Sequence, residues 1–248
     1  MRLEGKSAIV TGGASGFGAG IVHKFIDEGA RVMIADINGN AATQMAKSAG
    51  ENCSSCQVDV TSSKDIKKMA DETLNAFGKI DILINNAGTT HLPAPMEDIS
   101  EDDFDRVFNV NAKAIFLAAK YIVPLLKAQK SGVILNIAST AAISPRPNLS
   151  WYNASKGWLN TATKGMAVEL ASFGIRVNAL NPVAGETPLL KCFLGEDTPE
   201  MRAKFLSTIP MGRFSTPEDV ANAACYMCSD EASMITGVCM EVDGGRCV

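Results

Sequence analysis

Ser7-Ala-Ile-Val-Thr11-Gly12-Gly13-Ala14-Ser15-Gly16-Phe17-Gly18 is the stretch that decides the fold. Ser7 to Val10 is a short apolar run of the buried-strand type, and beyond Gly18 apolar residues recur at Ile21, Phe25 and Ile26 with helical spacing. Strand, glycine turn and helix follow in that order. Glycines at 12, 16 and 18 let the backbone approach a pyrophosphate closely and aim the amides of a helix N-terminus at it. The spacing is GxxxGxG, not the GxGxxG of the commoner dinucleotide fingerprint. Downstream, Arg31-Val-Met-Ile-Ala reads as a second strand and leads into Asp36, where a carboxylate can accept hydrogen bonds from both hydroxyls of an adenosine ribose. The same charge repels a 2′-phosphate, which favours NAD over NADP. Taken singly, the turn could be structural and Asp36 a helix cap; the two in register point to a dinucleotide.

The rest of the chain continues the alternation. Strands are expected at 7–10, 31–35, 54–58, 80–84, 132–137, 175–180 and 238–241, separated by helical patterns such as Ile66, Met69, Ala70, Leu74 and Phe77. Such alternation predicts an α/β fold with a parallel sheet covered on both faces. Helix starts are marked by Ser100 before Glu-Asp-Asp and by Thr216-Pro217-Glu-Asp, a cap followed by proline and acids that suit the helix dipole. Residues 183–215 carry Pro188, Gly195, Pro199 and Pro210 without a regular pattern, the signature of a lid with short helices of its own.

Tyr152-Asn-Ala-Ser-Lys156 brings a phenol and an ammonium to one helical face, and Ser139 ends the apolar run Val133-Ile-Leu-Asn-Ile-Ala. A phenol titrates at about 10 and is a poor base at neutral pH unless positive charge stabilises the phenolate. Lys156 supplies such charge. Hydride transfer between a nicotinamide and a carbinol carbon needs a proton to leave or join the oxygen, so Tyr152 is the expected proton carrier and Ser139 the hydrogen-bonding partner of that oxygen. Gly12 to Gly18, Asp36, Asp59-Val60, Asn86 to Gly88, Ser139 and Asn181-Pro182 each follow a predicted strand, and in a doubly wound sheet they converge on one rim. Any one of these turns alone could be a cap or a strand terminator.

The ordered set Thr11-Gly12-x-x-x-Gly16-x-Gly18, Asp59, Asn85-Asn86-Ala87-Gly88, Asn111, Ser139, Tyr152-x-x-x-Lys156 and Asn181-Pro182 leading to Thr187 resembles the classical short-chain dehydrogenases/reductases over nearly the whole chain. The resemblance implies one Rossmann domain spanning 1–248, a doubly wound seven-stranded parallel sheet with a substrate lid at about 183–215. It implies a catalytic set of Asn111, Ser139, Tyr152 and Lys156, with Asn111 favoured over the neighbouring Asn109 and holding a water that links Lys156 to solvent. The implied cofactor-binding residues are Gly12, Ser15, Gly16, Phe17, Gly18, Asp36, Asp59, Val60, Asn86, Ala87, Gly88, Tyr152, Lys156, Pro182, Gly185 and Thr187. Asp59 and Val60 would meet the adenine, Asn86 to Gly88 and Lys156 the ribose, and Thr187 the nicotinamide end. One departure stands out: the family pattern Pro-Gly-x-Ile-x-Thr is here Pro182-Val183-Ala184-Gly185-Glu186-Thr187, with glycine at the usual Ile position. Within the family the likeness is to 3-oxoacyl-acyl-carrier-protein reductase and glucose-1-dehydrogenase-like members, which implies a homotetramer.

The expected activity is therefore an NAD(H)-dependent oxidoreductase on a secondary alcohol or ketone, 3-oxoacyl thioesters among the possible substrates, with an NAD-dependent sugar or polyol dehydrogenase as the alternative. Two readings of other classes also stand, a nucleotide-sensing regulator without chemistry and an epimerase or dehydratase with tightly held NAD. The intact Ser, Tyr and Lys argue against the first, and the lack of a separate substrate domain against the second. His91, Pro145, Arg146, Leu149, Trp151, Leu189, Leu190 and Phe193 are expected to line the substrate pocket. A net charge of −4 without a basic stripe gives no support to nucleic-acid binding, and no apolar run approaches a membrane span, so a cytoplasmic protein is expected. Seven cysteines include Cys53-Ser-Ser-Cys56 and Cys225-Tyr-Met-Cys228, but neither pair has a neighbouring His, and no metal site is expected.

Overall fold

Ala8 and Val10 join one apolar cluster and Ile9 another, and all three are fully buried, so the first strand is covered on both faces. The computed structural model describes residues 1–248. Its strands are β1 (Ser7–Thr11), β2 (Arg31–Asp36), β3 (Cys53–Gln57), β4 (Ile82–Asn85), β5 (Gly132–Ile137), β6 (Ile175–Pro182) and β7 (Cys239–Val242). They form one parallel sheet in the order β3-β2-β1-β4-β5-β6-β7, a single Rossmann domain. The order reverses between β1 and β4, and there the crevice opens.

The helices are α1 (Gly16–Asp27), α2 (Gly39–Ala49), α3 (Ser63–Phe77), α4 (Glu101–Phe108), α5 (Ala114–Gln129), α6 (Ser150–Leu170), α7 (Leu190–Leu194), α8 (Pro199–Leu206) and α9 (Pro217–Cys228). Ile21, Val22 and Phe25 of α1, Ala42 of α2 and Val220, Ala224 and Cys225 of α9 pack on one face of the sheet; Ile66 and Met69 of α3, Leu117 and Ile122 of α5 and Leu170 of α6 pack on the other. Cys53 lies against the first of these cores and Cys56 within the second, so the two thiols of that pair sit on opposite faces. No helix is long and apolar enough to cross a membrane.

Several boundaries differ from the sequence expectation. The sixth strand runs to Pro182 because β7 still offers partners, pairing Asn181 with Glu241 and Pro182 with Val242. The fourth begins at Ile82, two residues later than expected, and the helical pattern beyond Glu101 is interrupted by a π-helical turn at Asn109–Lys113. Residues 183–215 hold α7 and α8, with Thr198 capping α8 and Pro199 in its first turn. This segment packs on its own cluster of Val183, Leu190, Leu194, Phe205, Ile209 and Phe214.

Candidate active site

A cavity of about 540 Å³ opens at the carboxyl ends of the strands, and residues from six strand-following turns line it. At the switch point Thr11 Oγ1 donates to the Ile84 carbonyl and accepts from the amides of Asn86 and Ala87. Asn86 Nδ2 donates to the carbonyls of Thr11 and Gly12 at 2.9 and 3.0 Å. These bonds tie the glycine turn to the end of β4. Gly12 and Gly16 hold φ of +61° and +53°, where side chains are disfavoured, and a Cβ on Gly16 would lie 3.2 Å from Thr187 Cβ. Gly18 does not line the cavity; it sits behind the wall, where a Cβ would fall 2.1 Å from the Gly12 carbonyl oxygen, so its lack of a side chain serves close packing of α1. Asp36 accepts the Ala14 amide on Oδ2 at 3.0 Å and the Asn38 amide on Oδ1 at 2.9 Å. Its carboxylate is held against the glycine turn with further lone pairs free.

Asp59, Val60, Asn86, Ala87 and Gly88 line the same cavity. Asp59 Oδ1 also accepts from the Thr61 amide and hydroxyl, which leaves Oδ2 over; the helix-cap alternative for this residue falls, because Ser62 caps α3.

At the other end stand Ser139, Tyr152 and Lys156. Ser139 caps the short turn Thr140–Ala142 by accepting the Ala141 amide at 3.1 Å, and its O–H is still free to donate. Tyr152 is 4 % exposed, packs on Ala141 and Leu149, and meets the Phe193 ring edge-on at 5.1 Å. Burial pushes its phenol up to about 12, while the Ser139 side chain and the positive field of Arg146 pull it back. Lys156 is 5 % exposed; its Nζ donates to the Ile137 carbonyl at 2.9 Å, and burial depresses it to about 8. In this arrangement desolvation outweighs the mutual help that i,i+4 spacing offers. Each group leans toward its neutral form.

The helix carrying both groups is anchored by polar contacts the sequence reading did not anticipate. Asn85 Nδ2 donates to Asn136 Oδ1, and Asn136 Nδ2 donates to Thr163 Oγ1 on α6, each at 2.8 Å and fully enclosed. Asn111, in the π turn, lies outside the cavity lining and is 1 % exposed. Its Oδ1 accepts the Thr89 amide, and its Nδ2 donates to the Thr89 carbonyl and to Ser155 Oγ, which in turn donates to the Tyr152 carbonyl. Both Asn111 Oδ1 and Lys156 Nζ face Gly88, 3.6 and 3.4 Å from where a Cβ would stand.

The loop after β6 explains the displaced glycine. A Cβ on Gly185 would fall 2.3 Å from Phe17 Cζ and 2.9 Å from the Ser215 carbonyl oxygen. Phe17 therefore fills the space that a side chain at 185 would take. Glu186 donates its amide to Ser215, Ser215 donates its own to Ala184, and Val183 is buried in the apolar cluster beneath. Pro182, Gly185 and Thr187 remain on the cavity wall.

A family model described as enoyl-(acyl carrier protein) reductase matches residues 12–246. The chain belongs to the classical short-chain dehydrogenase/reductase family. It is 46 % identical to 4-formylbenzenesulfonate dehydrogenase of Comamonas testosteroni, covering 99 % of both chains. It is 39 % identical to the 3-oxoacyl-[acyl-carrier-protein] reductase of Thermotoga maritima, again over 99 % of each. Among solved structures, 3-ketoacyl-(acyl-carrier-protein) reductase from Brucella melitensis complexed with NADH superposes with a TM-score of 0.94 at 45 % identity, over 99 % of this chain and 100 % of that one. The protein is a short-chain oxidoreductase acting on carbinol or carbonyl groups with a nicotinamide cofactor.

Within this short-chain dehydrogenase/reductase, the expected pocket residues divide. Arg146, Leu149, Leu189 and Phe193 line the cavity. His91 does not; it is 1 % exposed and engages the Leu92 carbonyl through Nδ1. Trp151 turns away to meet Phe104 and donates to the Met96 carbonyl, Leu190 is sequestered in the 183–215 core, and Pro145 lies outside. Helical geometry accounts for Trp151: neighbours in sequence diverge by about 100° on a helix, so Tyr152 and Trp151 point in different directions from α6. Phe205 of α8 lines the cavity as well, which no local pattern announces.

Two outcomes follow from this geometry. Gly185→Ala should destabilise the protein by about 1–3 kcal/mol through overpacking against Phe17, and Phe17→Leu should recover part of that loss in the double variant; thermal or urea denaturation of the four proteins measures the coupling. For Lys156 the folded value lies below the ordinary 10.5, so the unfolded chain binds more protons between pH 8 and 10.5 and stability rises with pH in that window. Relative to Lys156→Met, the parent should gain about 1.5 kcal/mol between pH 8 and 9.5 in urea titrations.

Proposed function

We propose that the protein transfers a hydride between NAD(H) and a secondary alcohol or ketone, with Tyr152 as proton carrier. The observation that supports this most is the convergence of the glycine turn, Asp36 and the Ser139, Tyr152 and Lys156 group on one cavity. The cradle at Gly12 and Gly16, the preset Asp36 carboxylate and the enclosed Tyr-Lys pair suit a nicotinamide dinucleotide, which when bound accepts or supplies a hydride at the nicotinamide ring. Gly12, Ser15, Gly16 and Phe17 would hold its phosphates, Asp36 the adenosine ribose, and Asp59 and Val60 the adenine. Asn86, Ala87, Gly88 and Lys156 would take the second ribose, and Pro182, Gly185 and Thr187 the carboxamide end. Gly18 contributes by shaping the turn. A carboxylate at 36 disfavours a 2′-phosphate, so NAD is the preferred form.

Ser139 donates its free O–H to the substrate oxygen and holds that oxygen beside Tyr152. Oxidation delivers the carbinol proton to Tyr152 as phenolate; reduction returns it from the phenol. The ammonium of Lys156 stabilises the phenolate through space. Asn111 acts chiefly as a positioning residue, joining Thr89 to α6 through Ser155, with a remaining Oδ1 lone pair for a relay water. Residues 183–215 close the substrate end as a lid.

The names of the two relatives bracket the substrate as a small aromatic carbonyl compound or a carrier-linked acyl chain, and the apolar wall of Leu149, Phe193 and Phe205 suits the former. Exposed Phe116 on α5 and Trp158 and Val168 on α6 support a homotetramer built through those helices. A sedimentation mass near four times 26.2 kDa is expected, and a 26.2 kDa monomer would refute the assembly.

Turnover followed by nicotinamide absorbance over a panel of alcohols, sugars and 3-oxoacyl thioesters tests the reading. NAD should give the higher kcat/KM, and Tyr152→Phe should lower kcat by about 10²–10⁴-fold. Full turnover by that variant would end the assignment of Tyr152.

A further inference from the structure

The carboxylates on the cavity wall, Asp36 and Asp59, both stand at the β2 and β3 end. At the Ser139 and Tyr152 end the wall is apolar and aromatic, with Leu149, Phe193 and Phe205, and its charged side chains are Lys156, committed to the Ile137 carbonyl, and Arg146. Arg146 makes no ion pair. Its guanidinium lies over the Phe205 ring, 4.5 Å from the centroid, and Arg246 stacks on the same ring at 5.2 Å. The other arginine of the wall, Arg106, is already spent on Asp103, Thr89 and the Thr90 carbonyl. Two acids of the lid, Glu186 and Asp197, are both taken by Arg202.

A half-buried guanidinium without a counterion is costly, and its planar fork matches a carboxylate or sulfonate bidentately. The Asn153 side chain donates to the Arg146 carbonyl at 2.8 Å and ties this residue's backbone to α6, next to Tyr152 in the chain. Burial lowers the guanidinium from its ordinary value, with the positive Arg246 acting in the same direction and Tyr152, not a carboxylate, opposing them.

We infer that Arg146 selects substrates carrying an anionic group, a carboxylate or sulfonate on an aromatic or apolar body, with the carbinol carbon presented to Tyr152. This rests on the oxidoreductase reading of the same cavity. The aromatic faces of Phe193 and Phe205 receive the body, and the guanidinium receives the charge at its far end. Because Phe205 belongs to α8, the charged contact also ties substrate binding to closure of the 183–215 segment.

Calorimetric titration of the full chain with NADH present tests this, using 1-phenylethanol and its 4-carboxy derivative. The parent should bind the carboxylate at least about tenfold more tightly, and Arg146→Gln should remove most of that preference. Arg146→Lys should retain part of it, since charge survives and the fork does not. Arg246→Gln, which loses the other cation on Phe205 at a residue that does not itself line the cavity, should change it less than about threefold and controls for packing. Equal binding of the two alcohols by the parent, binding of neither, or a preference that survives Arg146→Gln would overturn the inference. Turnover of the same pair separates the two readings. Oxidation of 1-phenylethanol without any Arg146-dependent preference leaves the oxidoreductase standing and removes the anion site. Arg146-dependent carboxylate binding with no reduction of NAD by any alcohol does the reverse.

Discussion

The bond set between Thr11 and Asn86 is the constraint on which the crevice depends. Thr11 Oγ1 uses its proton and both lone pairs on β4 and the turn after it, and Asn86 Nδ2 gives both protons to the carbonyls beginning the glycine turn. The chain leaves β1 toward one face of the sheet and β4 toward the other, so these two strand ends would splay without a polar tie. Their pairing holds the turn open toward the cavity, and Gly18 allows α1 to sit against it with no side chain between.

The second constraint is electrostatic. Tyr152 and Lys156 are as buried as the apolar core, and desolvation moves both toward neutrality, the phenol up and the ammonium down. Bringing positive charge to the cavity then does more than it would in water, because little solvent screens it. The Asn85, Asn136 and Thr163 chain makes this burial tolerable by fixing α6 to the sheet, so that the desolvated pair rests on a satisfied polar network.

Much of the fold was legible because its signals are local. Alternation of short apolar runs with 3.6-period segments follows from backbone geometry, and Ser100 and Thr216 cap helices where their side chains can reach their own chain. The order of Gly12, Asp36, Ser139, Tyr152 and Lys156 after successive strands made the site readable, since a parallel sheet brings its carboxyl ends to one rim. His91 and Trp151 misled because residues next to a wall in sequence need not face it. The asparagine chain was invisible because its members lie 51 and 27 residues apart and bond only after the sheet has formed.

Gly185 shows where the division falls. By itself the sequence determined the α/β order, the glycine turn, the residue types for proton transfer and the fact that a glycine had moved, all properties of spacing along one chain. Only the tertiary structure decided that Phe17 occupies the place a side chain at 185 would need, that Asn111 spends its amide on Thr89 and Ser155, and that Arg146 faces the cavity over Phe205 without an acid to meet it. Those outcomes depend on exclusion of volume and water between segments distant in sequence, which no local pattern encodes.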